Sequence, residues 1–434
     1  MDNQQPEGSI IKFKNEKDEE ELIERQNLVT VLPGPEGECH SQVIHVTSSG
    51  GTSIQEVCIS KAVYSPLPSW DYEAHNIHVI VSTKSGTETA GKFYSQALEP
   101  VLKALFHKRD FSTNVHYTES ANTIKELTTE VLWPKANNGE KLLVILLSGD
   151  GGVIDMVNAM LSKQPSVAYR APKVAIFPMG TGNALAHSIG TTKDNTSGLS
   201  ILARGKPLPL PIFKAIFSPG ARMLVDEARR EEELPKDSTG TPNLHGAVVC
   251  SWGMHATLVA DSDTAEYRKF GVERFKMAAK EALYPADGSS PHPYKARVSV
   301  IRKGETEWQS IPRDEHMYVL ATLVSNLEKT FVISPASQPL DGNLRLVHFG
   351  PTSGDEAMRI MGLAYQGGKH IDEPAVGYEN IERLRIQFND LEDDGRWRRI
   401  CIDGTIVRLE KDGWVEVAVE KRHVLDVLSV ANEL

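Results

Sequence analysis

Two glycine-rich turns are the part of this chain whose residue types and spacing can do chemistry. Ser148–Gly149–Asp150–Gly151–Gly152 follows the apolar run 142–147, and Pro178–Met179–Gly180–Thr181–Gly182–Asn183 follows the run 174–177. Glycines at the end of a buried strand let the backbone turn sharply and approach a ligand closely. The helix behind such a turn aims unpaired N–H groups at an anion. Two such turns in succession imply a cradle for a polyphosphate.

The flanking sequence says what positions them. After Gly152 the residues Val153, Met156, Val157, Met160 and Leu161 form one apolar stripe at helical spacing, with Asp155 and Asn158 off it. A second helix starts at Asn183, a good N-cap, and closes at Gly190. Upstream, strand 77–81 leads through Ser82–Thr83–Lys84–Ser85–Gly86 to a helix over 90–108. Strand 111–116 then leads through Tyr117–Thr118–Glu119–Ser120 to a helix over 121–131. This alternation predicts a mostly parallel sheet, with the four loops at the carboxyl ends of its strands, where ligands bind. A helix over 194–204 and prolines at 207, 209 and 211 mark a boundary. Beyond them the chain is β-rich, which predicts two packed antiparallel sheets interrupted by a helix over 265–283 and an exposed loop over 229–243. The expected divisions are an N-terminal extension (1–70), partly disordered with short β runs and a solvated or frayed helix around Lys17–Glu21; an α/β domain (71–208); a β-sandwich (209–420); and a C-terminal tail (421–434).

Composition narrows the class. A chain of 434 residues with 40% apolar content can build two real cores. The four cysteines (39, 58, 250 and 401) match neither a zinc spacing nor a disulfide framework, which points to a reducing, cytoplasmic setting. There is no apolar run of the ~20 residues that span a bilayer, and no signal-peptide pattern at the N-terminus. A formal charge of −11 excludes a broad nucleic-acid surface and wide adhesion to anionic lipid.

The ordered set of motifs resembles the diacylglycerol kinase catalytic-domain family, and within it the sphingosine kinase branch. It comprises the two glycine turns, Thr118–Glu119–Ser120, Ser251–Trp252–Gly253, Asp261, Tyr267–Arg268–Lys269–Phe270–Gly271 with Arg274, Leu340–Asp341–Gly342 and Asp403–Gly404. The resemblance implies a nucleotide-binding α/β domain and a β-sandwich with the active site in the cleft between them. It also implies transfer of the γ-phosphoryl of ATP, with Mg²⁺, to a sphingoid base or, as runner-up, diacylglycerol, together with peripheral membrane contact and a homodimer as partnerships. By position, Asp150 would be the base. The nucleotide would be held by Ser82, Lys84, Ser85, Gly86, Thr118, Ser148, Gly149, Gly151, Gly180, Thr181, Gly182, Asn183, Arg268, Arg274 and Asp403, and Asp261 would bind the acceptor's polar head, a carboxylate suited to an amino group. No metal ligands are assigned.

Physical expectations accompany these roles. Asp150, just before a helix, is expected to have a low pKa and to take its proton late, and by itself reads as a cap for the helix behind it. Arg268 and Arg274, six apart, can act together only if the chain bends near Gly271. His187 and His255 are expected as core residues without a role. Two departures stand out: the first loop lacks the family's Asn–Pro opening, and Thr405 stands where the family has a glutamate after Asp–Gly. Thr405 motivates a silent nucleotide- or lipid-binding protein as the rival reading. A dinucleotide enzyme ranks last, because the segment after Gly180–Ala186 lacks an acidic strand end.

Overall fold

The computed structural model describes residues 10–14, 20–33, 40–47, 50–58, 76–106 and 112–430. The first sheet has six strands in the order Lys206–Pro209, Asp426–Ser429, Lys173–Pro178, Leu142–Ser148, Asn76–Val81, Val115–Tyr117. All neighbours are parallel except the first pair. Every residue of Leu142–Ser148 is buried, as a central parallel strand covered on both faces requires. Side chains alternate across a strand. Leu142, Val144 and Leu146 therefore share a core with Val153, Met156 and Val157 of helix Asp150–Leu161. Leu143, Ile145 and Leu147 pack instead with Leu98, Val101 and Leu102 of the helical run over 90–105. Each buried leucine contributes about 1.5–3 kcal/mol, so the strand that ends in the first glycine turn is a stiff mount.

Several expected boundaries moved. Of the expected tail over 421–434, the described residues 421–430 are not free, because Asp426–Ser429 pairs in parallel with Lys173–Pro178 and antiparallel with Lys206–Pro209. The helix expected over 194–204 shrinks to Ile201–Arg204. Asp194 accepts from the Thr196 N–H (2.9 Å) and from the Thr196 and Ser200 hydroxyls (2.6 and 2.7 Å), holding a local turn in place of a helix. Phe111 lies outside the described residues, and the strand there is Val115–Tyr117. In the N-terminal extension, Ile10–Lys14 and Glu20–Glu24 pair as strands, not a helix, although 15–19 fall outside the described residues. The β runs read from the sequence join them in a five-stranded sheet. That sheet rests on the helical run through Val29 and Ile44 and a hydrogen bond from Thr52 Oγ1 to the Ala97 carbonyl (3.1 Å).

The C-terminal half is antiparallel, as expected, but its two anticipated sheets are one curled sheet of thirteen strands. Phe213, Phe217, Trp252, Tyr318, Phe349 and Phe388 are fully buried in its core. The expected interlude is two helices, Ala265–Arg268 and Glu273–Leu283, with Gly271 at φ +55 between them, so the chain does bend there. The expected 229–243 loop contains a strand, Arg230–Glu233, paired with Arg222–Val225. Two helices were not foreseen. Met254–Ser262 follows Gly253, and Gly354–Ala364 is capped by the Ser353 side chain, which accepts from the Glu356 N–H.

The halves are stitched across the cleft by Asn158. Its Nδ2 donates to the His245 carbonyl and its Oδ1 accepts from the His245 N–H, both at 3.1 Å.

Candidate active site

The two glycine turns touch backbone to backbone. A Cβ on Gly180 would stand 2.5 Å from the Gly149 Cα, and one on Gly149 would stand 2.9 Å from the Gly180 Cα. Neither glycine has a positive φ, so space and not conformation demands them. Gly86, at φ +53, closes on the same point, with its would-be Cβ 2.5 Å from the Met179 carbonyl oxygen. The loops 82–86 and 117–120 are tied together by Thr83, whose N–H donates to Thr118 Oγ1 (2.9 Å) and whose hydroxyl donates to the Thr118 carbonyl (2.8 Å). Ser85 Oγ donates to Ser82 Oγ (2.8 Å) and lies 3.4 Å from Ser148 Oγ. The structure thus brings Ser82, Ser85, Gly86, Thr118, Ser148, Gly149 and Gly180 together. Lys84 is exposed beside them.

Asn183 is left-handed, at φ +55, and its amide closes the second turn on itself, accepting from the Gly180 N–H and donating to the Gly180 carbonyl, both at 2.7 Å. The helix Ala184–Ser188 is capped instead by Asp150. Its carboxylate accepts from the N–H groups of Ala184 (2.8 Å) and Leu185 (3.0 Å). Asp150 therefore serves the neighbouring helix and not its own, which already includes it. The expectation of a depressed pKa is also overturned. Burial raises it, against a smaller lowering by the two N–H groups.

Asp403 arrives from the other half, in a turn at φ +46. Its carboxylate accepts from the N–H groups of Ala247 (2.6 Å), Val248 (3.1 Å) and Val249 (2.5 Å). Burial still lifts its pKa to about 7, and the charge of Asp150 adds to the rise. The two acids feel each other across the cleft. Among the described residues, no group of three or more His, Cys, Asp or Glu comes together as metal ligands.

Both carboxylates open into a cavity of about 570 Å³. Its polar wall holds Gly149, Gly151, Thr181, Gly182 and Asn183. Apolar side chains such as Met254, Leu258, Leu283, Phe331 and Met361 make up much of the rest. That is the size and character of a ligand pocket.

Of the remaining predicted residues, Arg274 lines the cavity and Arg268 does not. The Gly271 bend makes them converge, but on a carboxylate: Asp263 pairs with Arg268 at 3.0 Å and Arg274 at 3.4 Å. Asp261 is off the cavity. Helical periodicity turns His255, Leu258 and Val259 inward, while Asp261 pairs with Arg396 and Arg399, both at 2.8 Å. Its expected head-group role therefore has both oxygens already engaged. Missed by sequence reasoning were His255, Tyr318, Glu328, Met358 and Tyr365, all lining the cavity. Only the helix bearing Met358 carried a readable signal, the Ser353–Glu356 capping pair. His187 lies outside this cavity, with Nδ1 2.7 Å from Thr192 Oγ1.

Comparison with known proteins adds the family. The diacylglycerol kinase catalytic domain matches residues 76–215, the segment that holds both glycine turns. Residues 76–215 thus carry a diacylglycerol kinase catalytic domain. Similar proteins include sphingosine kinase 1 of Homo sapiens, 20% identical over 72% of this chain and 82% of that one. Sphingosine kinase B of Dictyostelium discoideum is 25% identical over 36% of this chain, which spans only 19% of that protein's length. Sphingosine kinase 1 of Arabidopsis thaliana is 22% identical over 46% of this chain and 35% of its own length. Among solved structures, a putative diacylglycerol kinase from Bacillus anthracis shares the fold, with a TM-score of 0.53 at 14% identity, over 84% of this chain and all of that one.

Proposed function

We propose that this lipid kinase transfers the γ-phosphoryl of ATP to the primary hydroxyl of a sphingoid long-chain base, with diacylglycerol or a related lipid as the alternative acceptor. One observation carries the proposal: the touching glycine turns and the facing pair Asp150 and Asp403 open directly into an apolar cavity, so a phosphate cradle and a lipid slot share a wall. The acid pair favours the sphingoid base, because a cationic head group would offset the repulsion between two dehydrated carboxylates.

In this mechanism the N–H groups and glycines of the two turns hold the triphosphate, and Asp150 orients the lipid hydroxyl. Each Asp150 oxygen accepts one backbone N–H and keeps a second lone pair for that hydroxyl. Its raised pKa makes it a better late acceptor of the proton than an ordinary aspartate, and the loose transition state asks mainly for positioning. The donor set fits Mg²⁺, which takes one or two carboxylates and completes its shell with phosphate oxygens and water. Asp150 would hold the ion through the oxygen that the hydroxyl leaves free, both Asp403 oxygens being taken by N–H groups, and when bound it would neutralise charge on the transferring phosphoryl group. Entry of lipid from a membrane surface is consistent with exposed Phe270, Val272 and Met277 beside the cavity helices. Among the described residues no helix is long and apolar enough to cross a bilayer.

The test is transfer of labelled phosphate from ATP to a panel of long-chain bases and diacylglycerols in detergent micelles. Wild type is expected to label a long-chain base, and Asp150→Asn to lose at least about 10²-fold in rate while still binding ATP. Labelling of no lipid overturns the proposal. ATP binding without turnover, with activity gained by Thr405→Glu, would favour the silent binder that Thr405 motivates.

A further inference from the structure

One polar pair inside the cavity plays no part in the mechanism above. Tyr318 lines the cavity at 1% exposure, and its hydroxyl has no hydrogen-bond partner among the described residues. His255 stands edge-on to it with ring centroids 6.0 Å apart. The His255 Nδ1 is 2.7 Å from Ser251 Oγ, which leaves Nε2 for another partner. Burial holds the His255 pKa at about 4, so the ring is neutral at physiological pH, and it pushes the Tyr318 phenol up, so the hydroxyl keeps its proton.

The surrounding wall is apolar, with Met254, Leu258, Leu283 and Phe331. A phenylalanine would fill the place of Tyr318 without an O–H left dry. Buried polar groups in folded proteins are almost always paired, and an unmet one costs stability, so a partner from outside the chain is the economical account. The position is also informative. Tyr318 pairs in register with Gly253, whereas Asp403 grips Val249 on the same strand. That is roughly 13 Å along the strand at about 3.3 Å per residue. The pair lies away from the reacting end.

Taking the cavity as the acceptor site, as proposed above, we propose that Tyr318 and His255 form a polar station that selects a lipid bearing a further hydroxyl along its hydrocarbon chain, beyond those of the head group. Tyr318 Oη would donate to that hydroxyl, and His255 Nε2 would take the remaining bond in whichever tautomer Ser251 sets.

The experiment uses the full chain, sphinganine, and sphinganine derivatives carrying one extra hydroxyl stepped along the chain. Binding is read by displacement of a fluorescent fatty-acyl probe, and turnover by phosphate transfer from ATP. Wild type is expected to bind one derivative about tenfold or more tighter than sphinganine, the worth of one hydrogen bond that would otherwise go unmade. Tyr318→Phe, which removes one oxygen, is expected to erase that preference while leaving sphinganine binding and thermal stability at or above the wild-type level. Equal binding of the whole series by wild type, binding of no member, or a preference that survives in Tyr318→Phe overturns the station. If wild type shows the preference but phosphorylates no member, the kinase reading fails and the station stands. Phosphorylation without preference is the reverse result.

Discussion

Gly180→Ala is the most direct probe of the cradle, because its effect follows from one distance. Gly180 lacks a positive φ, so alanine suits its backbone and the objection is steric. The new methyl would lie 2.5 Å from the Gly149 Cα, 3.3 Å from the Gly149 nitrogen and 3.0 Å from Asn183 Oδ1. An ordinary contact needs about 3.4 Å or more, so one turn must retreat by close to 1 Å, and the obstacle is backbone directly after a strand buried on both faces. Overpacking of this kind costs about 1–3 kcal/mol. A displacement of ~1 Å at the reacting groups costs about 10²-fold in rate. The neighbouring Gly151→Ala is the control. Nothing lies within 4 Å of its would-be Cβ, and it sits in a helix where alanine is favoured by roughly 0.5–1 kcal/mol. Thermal denaturation and labelled-phosphate transfer should therefore separate the two, with Gly180→Ala less stable and nearly inactive and Gly151→Ala at least as stable as wild type. A Gly180→Ala protein that melts and turns over like wild type would refute the contact between the turns.

Two further outcomes follow from charge. Asp403, with a pKa of about 7 in the folded protein against about 3.9 unfolded, binds its proton more tightly when folded, so its contribution to stability is present below about pH 4 and is lost as pH rises through 7. Denaturant titrations across pH 4–8 should show that falling slope, and Asp403→Asn should shrink it. Asp261→Asn should lower stability by about 1–3 kcal/mol, because it strips Arg399, whose side chain is only 9% exposed, of its carboxylate. Lipid KM should not change, whereas a head-group role would raise KM with little loss of stability.

The gathering of the glycine turns with the loops 82–86 and 117–120 was largely legible in the sequence, and the lining of the cavity was not. The glycine turns and the loops 82–86 and 117–120 are local features: an apolar run ends, glycine follows, a helix begins, and parallel topology gathers such ends at one edge. What failed was whatever depends on distant residues. The pKa of Asp150 was expected low because only its own helix was visible, whereas burial between two halves of the chain decides it. Asp261 was one helical turn from looking correct, but the inward face of Met254–Ser262 is fixed by the sheet beneath it, and Arg396 and Arg399, far along the chain, claim its oxygens. Tyr318 reads as an ordinary strand residue, and only the folded wall shows its hydroxyl to be dry.

The strand Asp426–Ser429 bears on how the two halves move. The chain leaves the α/β unit for the curled sheet after Pro209 and returns at Asp426, and these two residues are register partners, with the Leu210 N–H donating to the Leu425 carbonyl at 3.1 Å. The passage between halves is thus a two-stranded ribbon, which twists more readily than it shears, so cleft opening should be a rotation about that ribbon, limited by the Asn158–His245 latch. The same adjacency makes the curled-sheet half an insertion. A short hairpin turn joining Pro209 to Asp426 would excise it and leave the nucleotide half with its six-stranded sheet intact.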